Sequence, residues 1–289
     1  MLKKTMVAGA VALGLAGCAA PTRIPLDAAA RDKLAQVRVV HALAQDEIVV
    51  RAPAAGASAA MGGGLIAAII DSKIGEVRQN KLQGTLAPFY ASVDDFNFRS
   101  LFAGSLESSL REEKTLRFGA IEHAAQNLLH AEAEAQRKAL PEGQGLMLGT
   151  TSYTFSPDFS RLSVATQVQL NQSGKEDPVF KNTYFYQSAP VGAGEAESLA
   201  LWADKDGARY REAARESVVQ ILKMLRMDLA AGAADAAPGP QLALTALGTP
   251  VNVAVKGPAL EDGANRAIVR HTDGTLYSLP HTTTGGLPQ

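Results

Sequence analysis

The middle of the chain alternates between apolar and polar residues, and only a β-strand with one buried face satisfies a period of two. In RLSVATQVQLN (161–171) Thr166 and the apolar side chains take the even positions, and mainly polar residues take the odd ones. Similar β-rich runs precede it at 145–155 and follow it at 179–188, with turn residues at 156–160 and 171–178 between them. These runs predict a three-stranded antiparallel meander with one face against helices.

Helical periodicity is found on both sides of this region. Residues 94–113 carry apolar side chains at i, i+3 and i+4 spacing, and Asp94, Asp95 or Asn97 could cap the first turn. A second helix is predicted over 198–229, where Asp-Lys-Asp-Gly at 204–207 could interrupt it. Further helices are predicted over 28–36, 65–86 and 123–140, a strand over 116–121, and a β-hairpin over 37–51.

The C-terminal region adds a second set of β-strands. A strand over 251–256 is followed by RAIVRHTDGTLYSLP, in which Asp273-Gly274 is a strong hairpin signal. The predicted fold class is α+β: an antiparallel sheet (hairpin plus three-stranded meander) covered by amphipathic helices, with a small C-terminal β module. The predicted organisation is a signal peptide (1–17), a lipidated tether (18–30), an α+β main domain (31–230), a linker (231–240), a small β module (241–280) and a tail (281–289).

The first seventeen residues have the composition of a secretory signal. Lys3 and Lys4 precede an apolar run over 6–16, which is far shorter than the roughly 20 residues that a spanning helix needs. Cys18, the only cysteine of the chain, follows this run directly. The composition alone allows an ordinary signal peptide with an incidental cysteine.

Leu15-Ala16-Gly17-Cys18 resembles the lipobox of bacterial lipoproteins. The resemblance implies cleavage between Gly17 and Cys18, a diacylglyceryl group on Cys18 and a fatty acyl group on the new amine. Two or more acyl chains anchor a protein stably to a membrane. In that family an Asp after the cysteine tends to retain the protein in the inner membrane, so Ala19 implies the periplasmic face of the outer membrane of a diderm host. The mature part resembles proteobacterial envelope lipoproteins of uncharacterised function.

No catalytic, cofactor-binding or metal-ligating set is evident in the sequence. His123 and His130 would lie about 10.5 Å apart along one helix, too far to share a metal, and HExxH and GxSxG motifs are absent. Asp204–Gly207 lacks the ligand pattern of a calcium loop and fits a capping turn better. The aromatic residues Tyr153, Phe155 and 184–186 fit a sheet core better than a ligand site.

Charge and composition narrow the partners. Without Lys3 and Lys4 the chain has 26 basic and 29 acidic residues, so its net charge of −3 does not attract nucleic acid. We therefore expect a non-enzymatic binding or assembly role in the envelope, with the membrane bound through the lipid on Cys18 and an envelope protein or a second copy as partner. One alternative is an export or pore accessory that oligomerises through the uncharged segment Ala52–Ile70. The other is a periplasmic enzyme whose site is assembled from residues far apart in the sequence.

Overall fold

A mixed β-sheet forms the body of the protein, and most of the helical residues cover one of its faces. The computed structural model describes residues 23–43, 45, 47–50, 84–126, 128, 130–231, 239–249 and 251–281. Its helices are α1 (Ala28–Asp32), α2 (Ala87–Ser92), α3 (Phe98–Arg111), α4 (His130–Lys138) and α5 (Glu195–Ala231). Its strands are β1 (Gln36–Leu43), β2 (Val49–Val50), β3 (Phe118–Ala124), β4 (Gln144–Phe155), β5 (Leu162–Gln172), β6 (Phe180–Gln187), β7 (Gln241–Thr249), β8 (Val251–Asp262), β9 (Arg266–Arg270) and β10 (Leu276–Pro280).

The strands lie in the order β3-β1-β4-β5-β6-β10-β9-β8-β7, and β2 pairs with β4. The α+β class, the meander β4-β5-β6 and the hairpin β9-β10 are confirmed. The C-terminal strands join the main sheet through the parallel pairing of β10 with β6. Gly17, Cys18, Ala52–Ile70 and most of the helix predicted over 65–86 lie outside the described residues.

The predicted pairing of 37–43 with 47–51 as a hairpin is wrong. Both β1 and β2 pair with β4, and both run parallel to it. On its other edge β1 pairs with β3, again in parallel, so the sheet is mixed rather than wholly antiparallel. The physical reason is that β1 is a near-continuous apolar run that is buried on both faces, which is typical of a parallel strand inside a sheet.

The helix predicted from His123 to Leu140 begins later than the sequence indicates. β3 extends to Ala124, and α4 begins only at His130. Hydrogen bonding of β3 along most of β1 overrides the helical preference of the Ala- and Glu-rich residues. His123 therefore lies in a strand opposite His41 of β1, and it does not share a helix with His130.

Helices α2, α3 and α5 cover the inner face of the sheet. Asn97 caps α3 by accepting a hydrogen bond from the Ser100 amide at 2.8 Å. The predicted break in α5 is confirmed: Lys205, Asp206 and Gly207 have left-handed backbone angles. A Cβ at Gly207 would lie 2.3 Å from Val93 Cγ1, so this turn allows close approach of the segment that follows α2.

The outer face of the sheet is covered in two places. The β7-β8 pair lies over β5, β6, β9 and β10, where Phe185, Val255 and Tyr277 form a second apolar cluster. α4 lies over β1, where Arg38 donates to Gln136 Oε1 at 2.6 Å. Part of the outer face between these two coverings stays accessible.

Candidate functional site

The first described residues, which lie within the predicted tether (18–30), are fixed directly to the sheet. The Ile24 amide donates to the Lys181 carbonyl at 2.8 Å, and the Lys181 amide donates to the Ile24 carbonyl at 2.9 Å. This two-residue bridge extends the line of β10 along the edge of β6. We call Arg23, Ile24, Lys181 and Asp228 the attachment site.

Asp228, near the C-terminal end of α5, is the centre of a buried polar network. Its side chain is fully buried, and Arg23 donates to Oδ1 from Nη2 at 3.0 Å and from Nε at 3.2 Å. Asn182 donates to Oδ2 at 2.6 Å, and Arg270 lies at 3.5 Å from Oδ1. A buried carboxylate is tolerated only when it is compensated in this way.

Tyr184 completes the network by donating to Asp228 Oδ2 at 3.3 Å. Burial, with the adjacent Asp228 carboxylate, raises the pKa of Tyr184 well above its ordinary value, so its hydroxyl stays protonated and can donate. Sequence patterns do not predict this site, because Arg23 and Asp228 are 205 positions apart. An aspartate among the apolar positions of α5 was the only available indication.

A groove of about 320 Å³ lies on the outer face between α4 and the β7-β8 pair. Its floor is two rows of side chains that cross β1, β4, β5 and β6 in register. One row is Val40, Leu148, Gln169 and Lys181, and the other is Ala42, Thr150, Gln167 and Thr183. Leu128, His130 and Ala133 form one wall. We call this feature the outer groove.

The outer groove changes in character along its length. Its β1 end is apolar, its centre carries hydroxyl and carboxamide groups, and its β6 end carries the ammonium group of Lys181. The side chains of Thr150, Gln167, Gln169, Lys181 and Thr183 have no hydrogen-bond or ion-pair partner among the described residues. Their polar groups are therefore available to a ligand.

A second, wider groove of about 740 Å³ lies on the helical side of the protein. It runs between the C-terminal part of α3 and α5, and we call it the helical groove. Val219 is 62% exposed there, and Leu222 and Met227 also line the groove. Its rim is charged, with Glu112, Lys114, Lys223 and Arg226. An apolar strip with a charged rim is the composition of a protein-protein contact.

A histidine cluster is buried beneath α3. His41 is stacked on Phe102 with ring centroids 4.7 Å apart, and its Nε2 lies 2.8 Å from Thr151 Oγ1. Burial, with the charge of His123, lowers the pKa of His41 to about 3, so the imidazole is neutral at pH 7. Thr151 in turn contacts Thr166, and both hydroxyl-bearing residues are buried.

His123 lies beside this cluster but outside the core. Its ring meets that of His41 edge-on at 6.1 Å, and its Nε2 is 3.3 Å from Glu107 Oε1. Sequence patterns do not predict that these two histidines are neighbours, because their proximity results from the parallel pairing of β1 and β3. Among the described residues, no three His, Cys, Asp or Glu side chains are arranged to hold a metal ion.

The remaining sequence candidates take structural positions. Tyr153, Phe155 and Tyr184–Tyr186 are all 2% exposed or less, in agreement with the prediction that they belong to the core. Asp95 pairs with Arg211, and Asp206 lies in the left-handed turn of α5. No helix in the described ranges combines the length and hydropathy needed to cross a membrane. No protein-family model matches the chain, and no curated protein does either.

Proposed function

We propose that this chain is an outer-membrane-anchored periplasmic lipoprotein with a non-enzymatic binding or assembly role in the cell envelope. The observation that carries the proposal is the position of the only cysteine, Cys18, at the end of a signal-like apolar run. The attachment site also supports the proposal, because it holds the chain against the folded body from Arg23 onward, a few residues after Cys18.

The number of residues between Cys18 and the attachment site limits how far the folded body can lie from the membrane. Four residues lie between Cys18 and Arg23, and an extended chain spans at most about 18 Å over these five Cα–Cα steps. A lipid on Cys18 would therefore hold the region around Lys181 of β6 and Asp228 of α5 close to the bilayer surface. Partners would be bound at the membrane rather than across the periplasm.

A binding role is supported by surfaces that the fold leaves open. The outer groove offers polar groups that have no partner in the described part of the chain, and the helical groove offers an apolar strip around Val219. The hydroxyl groups beside His41 are buried, so the described residues give more support to binding than to catalysis. The oligomerisation alternative rests on Ala52–Ile70, outside the described residues.

The anchor is tested by intact mass and membrane fractionation of the native protein beside two variants. We expect the native chain to have the mass of residues 18–289 plus three acyl chains and to fractionate with the outer membrane. Cys18→Ala should be soluble and unacylated, whereas Ala19→Asp should keep the acyl chains but move to the inner membrane. A native protein that is soluble and unmodified would overturn the proposal.

The assembly role is tested by placing a photo-crosslinking residue at Val219 in intact cells. Replacement at Ser108, which is exposed on α3 beside the groove, is the matched control. We expect a discrete crosslinked species from position 219 that is much weaker from position 108. If position 219 gives no crosslink above that of position 108, the helical groove is not the contact surface.

A further inference from the structure

We propose that the outer groove is a binding site for a short extended peptide that ends in a free carboxylate. This inference deepens the binding role proposed above but does not depend on the lipid anchor, because every residue of the groove lies in the folded body. It follows from the chemical character of the groove, the spacing of its amides and the position of its single lysine.

The centre of the groove carries two carboxamides that suit a peptide backbone. Gln167 and Gln169 are two residues apart on β5 and face outward together, so their Cα atoms lie about 6.8 Å apart along the strand. A peptide that runs from the β1 end to the β6 end crosses β5 between these two positions, so one glutamine lies on each side of it. A carboxamide both donates and accepts, so each glutamine can satisfy the N–H and C=O groups of a peptide unit.

The β6 end of the groove provides a place for the carboxylate. Lys181 stands opposite Gln169, and its ammonium group has no partner among the described residues. Its main chain is held on both sides, by β5 and by the bridge to Ile24, so the position from which the side chain reaches is fixed. A fixed, unpaired cation at the end of a neutral groove selects a single negative charge.

The β1 end of the groove suits an apolar side chain of the same peptide. Val40, Ala42 and Leu148 form this end, and α4 encloses it with Ala133. A polymer of sugars is less well matched, because rings of sugars commonly stack on aromatic side chains. The aromatic residues of this face, Phe185 and Tyr277, are buried under β7 and β8.

The groove is also bounded along the strands, which limits its width. Two positions beyond Gln167 and Thr183 are Ala165 and Phe185, which belong to the second apolar cluster. In the other direction, Arg38 is engaged by Gln136 of α4. The groove crosses four strands, so its two ends lie about 14 Å apart, and about four extended residues span it at about 3.3 Å each.

The test uses the chain without residues 1–17 and with Cys18→Ala, labelled with ¹⁵N and methyl ¹³C for NMR. The probe is the tetrapeptide acetyl-Ala-Leu-Ala-Ala with a free carboxylate, compared with the same peptide as its C-terminal amide. We expect saturable shifts at Thr150, Gln167, Gln169 and Thr183. The free acid should bind roughly threefold to tenfold more tightly than the amide, as one partly exposed charge pair allows.

Two variants assign the charge preference. Lys181→Gln should bind the free acid as weakly as the wild type binds the amide. The ratio of the two affinities should therefore fall to one. Lys175→Gln, at the exposed turn between β5 and β6, should keep the wild-type preference. Unchanged positions of the core methyl signals show that each variant is folded.

Three results with the peptides, and one with a competing probe, would overturn the proposal. The first three are the absence of saturable shifts, equal binding of the acid and the amide by the wild type, and shifts that fall outside the groove. A chito-oligosaccharide of six units serves as the competing probe, and groove shifts with that probe alone would also reject a peptide site. The lipid anchor is tested separately, because it is measured by the mass and membrane fraction of the native protein and not by peptide binding.

Discussion

The replacement Asp228→Asn tests whether the charge of the attachment site stabilises the fold. The amide keeps the shape of the side chain but removes the negative charge that faces Arg23 and Arg270. These two arginine side chains are only 12% and 10% exposed, so water cannot replace the lost carboxylate. Removing one partner of a buried ion pair costs about 3–5 kcal/mol, and we expect a loss of free energy of unfolding in that range.

The assay is urea unfolding of the soluble chain, followed by the fluorescence of Trp202, the only tryptophan, which is buried. Glu261→Gln is the matched control, because its pair with Lys223 is 42% and 39% exposed. An exposed pair contributes about 0–1 kcal/mol. If Asp228→Asn loses no more stability than Glu261→Gln, the buried charge does not hold the tether, and the reasoning fails.

Two further predictions concern the core and the break in α5. Because the pKa of His41 falls from 6.5 to about 3 on folding, the unfolded chain binds a proton between these values that the folded chain does not. Stability should therefore fall as pH falls below 6.5, by up to about 1.4 kcal/mol per unit from this group. Urea titrations at pH 7, 6 and 5 should show a flatter dependence for His41→Gln than for the exposed control His130→Gln, and equal slopes would contradict this. Gly207→Ala should destabilise by about 1–3 kcal/mol, since its φ is +69° and a Cβ would contact Val93. Gly104→Ala in exposed helix should instead stabilise by about 0.5–1 kcal/mol, and a calorimetric melt that ranks the two variants the other way would refute the role of the turn.

Local patterns predicted the elements whose partners are close in sequence. The alternation over 161–171 fixes which side chains of β5 face inward, and Asp273-Gly274 identifies the β9-β10 turn. The Asp-Lys-Asp-Gly sequence at 204–207 predicts a break because Asp and Gly are poor helix formers, and the structure has left-handed backbone angles at three of its residues. In each case the determining interaction lies within a few residues.

Non-local pairing was not predictable by the same means. The apolar run of β1 is compatible with a hairpin or with a buried parallel strand, and only its placement between β3 and β4 decides between them. The same pairing places His123 in a strand beside His41, whereas the sequence pattern predicts a helix there. Among the groove residues, Gln167 and Gln169 could be placed on one face, but Lys181 and Leu148 joined them only through the register of three strand pairs.

The attachment site connects the segment that follows the proposed anchor to the outer groove through a single residue. Lys181 carries the ammonium group of the groove, while its main chain bonds to Ile24. The next residue, Asn182, donates to Asp228, which holds Arg23. Under the proposed anchoring, the carboxylate end of a bound peptide would lie within the short reach of the tether from the membrane. A change at Arg23 should therefore alter both the hold on the tether and the position of Lys181, whereas a change at Lys181 should alter the groove alone.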